Sequence, residues 1–173
     1  MLVRIAASAV ILLGCAYLGI VFSNRYKKRV RQISGMEGAM TQLEFDIDYM
    51  NLPLCDSLEK IAHSSENEIK EIFLYVCDRL KENPCGDMYR VWKRALERCE
   101  YDLYLTEDDK RIILDFSRTL GSGNREKEKN NIKVTLMRLK MAEDEAKADA
   151  VRNVKMYRGL GMLLGVFAVI VLL

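Results

Sequence analysis

Glu44 and Asp48 stand one helical turn apart and would share a face, with Asp46 pointing elsewhere. Paired carboxylates of this kind can hold a cation or move protons. The better reading is a solvated acidic face. The single histidine, His63, sits beside Ser64 and Ser65 near a predicted helix end, where it activates no nucleophile and joins no metal motif. The five cysteines, Cys15, Cys55, Cys77, Cys85 and Cys99, include no CxxC pair. Cys77 and Cys99 fall on apolar stripes, where a thiol behaves as a small hydrophobe. Gly121, Ser122, Gly123 and Asn124 are followed by Arg125 and Glu126 rather than by the lysine and hydroxyl of a phosphate-binding loop, and read as a turn. Enzymatic machinery, a metal and a cofactor are therefore not expected.

The elements that carry these residues differ sharply in composition. A mean hydropathy of −0.08 averages two apolar ends with a highly charged middle. Residues 5–22 contain no charge, nor do residues 159–173. A membrane span needs ~20 apolar residues, or ~17 at the short end. The first run qualifies, and the second is completed by Met156, Tyr157 and a snorkelling Arg158. The expected organisation is thus a transmembrane helix at 1–23, a domain at 24–158 and a second transmembrane helix at 159–173. Arg25, Lys27, Lys28, Arg29 and Arg31 follow the first run, and Arg152, Lys155 and Arg158 precede the second, against Arg4 alone on the far side. This asymmetry places the middle in the cytoplasm, and the Arg25 to Arg31 cluster also suits anionic lipid headgroups. An alternative reads Leu12, Leu13, Gly14 and Cys15 as a lipidation signal, which would put the domain outside; the apolar run, however, continues to Phe22 and ends in a stop-transfer flank. With 27 basic against 25 acidic residues, no basic excess points to nucleic acid.

Within the middle, apolar residues recur every three or four positions and no alternating strand pattern is sustained, so the fold is expected to be all-α. Val30, Ile33, Met36, Met40, Leu43, Ile47 and Met50 extend the first helix, with Gly35 and Gly38 as places to bend. Leu52-Pro53-Leu54 interrupts it. A short helix carries Leu54, Leu58, Ile61 and Ala62. Ser64 or Ser65 would cap the next, which carries Ile69, Ile72, Phe73, Val76, Cys77 and Leu80 and stops at Asn83, Pro84 and Gly86. Asp87 opens a helix with Met88, Val91, Trp92, Ala95, Leu96 and Cys99 inward; Thr106 caps another through Ile112, Ile113, Phe116 and Leu120. From Arg125 onward, Ile132, Leu136, Leu139, Ala142, Ala146, Ala150 and Val154 are spaced like a coiled-coil seam. At ~1.5 Å per residue, 125–158 would reach ~50 Å and 24–51 ~40 Å, giving an antiparallel bundle with stalk-like helices. In the apolar ends, Gly161 and Gly165 form a GxxxG pattern and Cys15 and Gly19 a second small pair, which suit helix packing within the chain or between subunits of a homo-oligomer.

The order of these motifs resembles one family, the stage III sporulation protein AB of endospore-forming bacteria. The resemblance is carried by Leu43-Glu44-Phe45-Asp46-Ile47 with Tyr49, by Leu52-Pro53-Leu54 with Leu58 and Ile61-Ala62, and by Trp92 with Ala95-Leu96. It continues through Leu105-Thr106, Leu120-Gly121, Arg125-Glu126, Met156-Tyr157-Arg158 and Leu160-Gly161. The resemblance implies a helical domain similar to type II secretion F proteins, in a non-enzymatic membrane platform of the sporulation channel complex. It further implies the mother cell membrane around the forespore as location, with other channel subunits and a secretion-type ATPase similar to stage III sporulation protein AA as partners. A partner contact at Gly121, Arg125 and Glu126 would follow from it, although Asn124 and the 127–129 stretch depart from the family pattern beside them.

Overall fold

The computed structural model describes the backbone of residues 2–50, 52–83, 86–120 and 125–172. Side chains are described for 14, 23–50, 52–66, 68–83, 86–120, 126–156, 159 and 163. Among these residues the secondary structure is entirely α-helical: α1 (Leu2–Asp48), α2 (Leu54–Ser64), α3 (Asn67–Glu82), α4 (Met88–Arg98), α5 (Glu107–Ser117) and α6 (Arg125–Leu172). The chain divides into two compact units, one formed by Met1–Val30 with Glu145–Leu173 and the other by Arg31–Asp144.

The second unit holds the core. On α1 the three-and-four spacing buries Ile33, Met36, Met40 and Leu43 to 1% exposure or less. The proline break falls as expected: α1 stops at Asp48, and Pro53 occupies the N-cap position of α2, where a missing N–H costs nothing. Leu58, Ile61 and Ala62 of α2 are fully buried, and the α3 stripe is buried throughout. Trp92 lies at the centre, edge-on to Phe73 of α3 at 5.3 Å and to Phe116 of α5 at 6.0 Å. Burying each such ring stabilises by ~1.5–3 kcal/mol relative to leaving it in water. On α6, Ile132, Leu139 and Ala142 are buried, while Leu136 is half-buried.

Local signals explain the ends of the short helices. The Asp87 side chain accepts from Tyr89 N–H at the start of α4. Thr106 and Asp109 form a reciprocal capping box at the start of α5. Ser64 and Ser65 do not cap α3; both hydroxyls donate to the Ile61 carbonyl and close the end of α2, and Glu66 takes the N-cap position without a side-chain bond. A serine hydroxyl can satisfy a free carbonyl at a C-terminus as readily as a free N–H at an N-terminus. That choice is not visible in the residue type. Gly35 does have a packing role, since a Cβ added there would lie 2.5 Å from Ile69 Cδ1 on α3, whereas a Cβ at Gly38 meets nothing within 4 Å.

In the first unit, Arg29 of α1 and Asp149 of α6 form an ion pair at 3.5 Å, and Ala146 is buried. Among the described residues no helix is long and apolar enough to cross a membrane. Most side chains of the two uncharged runs, including Cys15, Gly19, Gly161 and Gly165, lie outside the described residues, as do Pro84, Cys85 and Gly121.

Candidate functional site

His63 is exposed. Cys77 and Cys99 are free and buried, and burial pushes both thiols up, away from the reactive thiolate. Among the described residues no group of three or more His, Cys, Asp or Glu is arranged to hold a metal ion.

Of the two acids expected to form a solvated face, Asp48 is largely covered, and Asp46, expected to point elsewhere, is the fully buried one. Asp46 has no exposed surface. Its carboxylate accepts from Lys60 Nζ at 2.8 Å, Gln42 Nε2 at 2.7 Å and Ser57 Oγ at 3.0 Å. Burial alone would push the Asp46 carboxyl up, but the bonds from Lys60, Gln42 and Ser57 outweigh it and hold the group below the usual carboxylate range. Asp48 in turn takes Lys129 Nζ of α6 at 2.7 Å. Both acids therefore clamp helices, Asp46 binding α1 to α2 and Asp48 binding α1 to α6. Neither is placed for cation binding.

An open cleft of about 410 Å³ lies between α4 and α5. Its basic groups are paired in place: Lys110 reaches Glu107 at 2.9 Å and Glu100 at 3.5 Å, Arg111 reaches Asp108, and Arg118 reaches Asp115 at 4.0 Å while stacking over Tyr89. The cleft offers paired, mutually satisfied groups rather than an acid, base or nucleophile aimed at a substrate.

The basic cluster after the first apolar run splits by role. Arg25, Lys27 and Lys28 are exposed. Arg29 turns toward Asp149 and is only 12% exposed, and Arg31 meets Glu66 at 2.6 Å at the head of α3. The Glu66 bond raises the Arg31 guanidinium, and Arg31 lowers Glu66. Two members of the cluster thus brace helices, and three face outward. Of the residues tied by resemblance to a partner contact, Glu126 is exposed; Gly121 and the Arg125 side chain lie outside the described residues.

The outer surface of α6 carries a feature that the sequence pattern contained but the core seam obscured. Val134, Met137 and Met141 are 41%, 61% and 72% exposed, on the side opposite Ile132 and Leu139. On neighbouring α1, Phe45 and Tyr49 are also exposed and stack at 5.4 Å. No catalytic constellation is assembled among the described residues.

A family model for stage III sporulation protein AB matches residues 4–173. The chain is 24% identical over 172 residues to Stage III sporulation protein AB of Bacillus subtilis (strain 168), which covers 99% of this chain and 100% of that protein. The solved structure of a Stage III sporulation protein AB superposes with a TM-score of 0.64 at 25% identity, covering 71% of this chain and 96% of the solved one. The chain belongs to the stage III sporulation protein AB family, and its role is in sporulation.

Proposed function

We propose that the protein is a non-enzymatic membrane platform of a secretion-like channel complex needed for endospore formation, coupling a cytoplasmic secretion-type ATPase to the channel. The observation that carries this reading is the pair of uncharged runs, 5–22 and 159–173, enclosing one helical domain with basic residues on its side of both runs. Each run crosses the bilayer once, and the helical domain faces the cytoplasm of the mother cell. Arg25, Lys27 and Lys28, exposed beside the first run, meet anionic headgroups. The small residues Cys15, Gly19, Gly161 and Gly165 let the two spans approach closely, or let spans of neighbouring subunits do so. With Asp46 and Asp48 committed to clamping helices, the domain offers surfaces rather than chemistry, as a subunit that transmits an ATPase's motion requires.

Affinity purification of the tagged full chain from sporulating cells, in mild detergent, tests the coupling. An ATPase similar to stage III sporulation protein AA should copurify together with channel subunits, and should be lost when the domain's surface is disrupted. Recovery of channel subunits with the ATPase consistently absent, under conditions that preserve the ATPase's own assembly, would contradict it.

A further inference from the structure

Cys55 and Cys77, 22 positions apart in sequence, meet where the first turn of α2 lies against α3. The Cys77 thiol donates to the Cys55 carbonyl at 3.6 Å. A disulfide needs two cysteines whose side chains start side by side, and a sulfur that touches its partner's main chain meets that need. Cys55 is the second residue of α2, so no preceding helical turn restricts its side chain as it swings toward Cys77. The two thiols differ in access: Cys55 is half-buried, whereas Cys77 is 1% exposed. Lys81, one turn further along α3, bonds Glu59 of α2 at 2.6 Å and lies beside the Cys77 sulfur. Burial pushes the Cys77 thiol up, and the Lys81 ammonium pulls it the other way. Cys99, at the end of α4, touches Glu71 instead, at 3.8 Å.

We propose that Cys55 and Cys77 form a reversible dithiol–disulfide pair, oxidised by a low-molecular-weight disulfide, with Cys55 attacking first and Cys77 closing the bridge. The Cys55 thiolate attacks one sulfur of the oxidant, whose S–S bond breaks to release one small thiol. The Cys77 thiolate then attacks the Cys55 sulfur of the mixed disulfide and expels the second small thiol. The chain gives up two electrons and two protons, and the oxidant takes them up as it becomes two thiols. This order follows from access, because an external oxidant reaches the half-buried sulfur and the fully buried one is reached only from within. Bridging ties the first turn of α2 to α3 and closes residues 56–76 into a loop, which narrows the unfolded ensemble. That turn directly follows Pro53, so the bridge locks the chain just after the break that ends α1. A reducing compartment keeps both thiols free until an oxidant appears, which makes the pair a switch rather than a structural bond. The chemistry belongs to the helical domain alone and does not depend on the platform role.

Oxidised glutathione is the probe, applied to the detergent-solubilised full chain under native conditions and followed by thiol blocking and peptide mapping without reduction. A peptide pair joined through Cys55 and Cys77 should appear, about 2 Da lighter than its two reduced halves together, and dithiothreitol should abolish it. The midpoint of chemical unfolding should rise on oxidation and return on reduction. Cys77→Ala, which puts no polar group into the core, should instead trap glutathione on Cys55. Cys55→Ser should leave Cys77 unmodified, since nothing then delivers the oxidant to it. The mapping of the parent chain needs no substitution, so a variant that fails to fold leaves the test intact. A mixed disulfide that persists on Cys55 of the parent, bridges made only to Cys15, Cys85 or Cys99, or no reaction at Cys55 overturns the proposal.

Discussion

Asp46 of α1 and Lys60 of α2 form an ion pair at 2.8 Å in which the carboxylate is completely buried and the ammonium is half-exposed. The arrangement is asymmetric: Lys60 keeps contact with water, so only one charge bears the full cost of burial. Gln42 and Ser57 supply the bonds that the carboxylate would otherwise have had from solvent. Asp46→Ala should therefore cost about 1–3 kcal/mol, mainly by leaving Ser57 and Gln42 without their acceptor. Chemical unfolding of the two proteins measures the difference.

The same site gives a pH dependence with a defined sign. The Asp46 carboxyl is held below its ordinary value in the folded chain. Its contribution is thus fully present above the unfolded value of about 4, and is lost as pH falls through the lower folded value. Unfolding midpoints of the parent should drop on acidification below about pH 4, and Asp46→Asn should flatten that part of the profile.

Gly35 and Gly38 should respond oppositely to alanine. At Gly38 the added methyl meets open space, and the helical gain of roughly 0.5–1 kcal/mol is free to appear. At Gly35 the methyl runs into Ile69 Cδ1, so Gly35→Ala should destabilise by about 1 kcal/mol net once overpacking exceeds that gain. Removing the obstructing atom with Ile69→Val should reverse part of the loss, and a double-mutant cycle reads this as a coupling between α1 and α3.

Trp92 is fully buried and its indole N–H has no hydrogen-bond partner among the described residues. Trp92→Ala should cost ~3–5 kcal/mol by opening a cavity between Phe73 and Phe116. Trp92→Phe removes the unpartnered N–H together with some volume, and the two effects oppose each other. Its cost should be less than half that of the alanine variant in the same unfolding assay.

Much of the fold is legible in the residues because its stripes are regular. The α3 run from Ile69 to Leu80 and the α4 run with Trp92 and Ala95 are buried where a 3.6-residue period puts them. The caps at Asp87 and Thr106 are equally plain. What the pattern hides is which of several polar residues turns inward. Helix periodicity turns Asp46 away from Glu44 and Asp48, but only folding brings Ser57 and Lys60 of α2 against it as partners. Ser64 and Ser65 sit between two helices and serve the earlier one. On α6, the seam through Leu139 is buried and the parallel line through Met137 is exposed, because only packing decides which of two apolar lines is covered.

The proposed topology sets the helical domain on the cytoplasmic side of a membrane crossed once near each end of the chain. Tyr101, 99% exposed between α4 and α5, offers a reporter position. In a Cys55→Ser, Cys85→Ser background, with Cys77 and Cys99 buried, Tyr101→Cys adds an accessible thiol to the domain surface. A membrane-impermeant maleimide should label it only after the cells are permeabilised. Equal labelling of intact cells would place the domain outside and contradict the account.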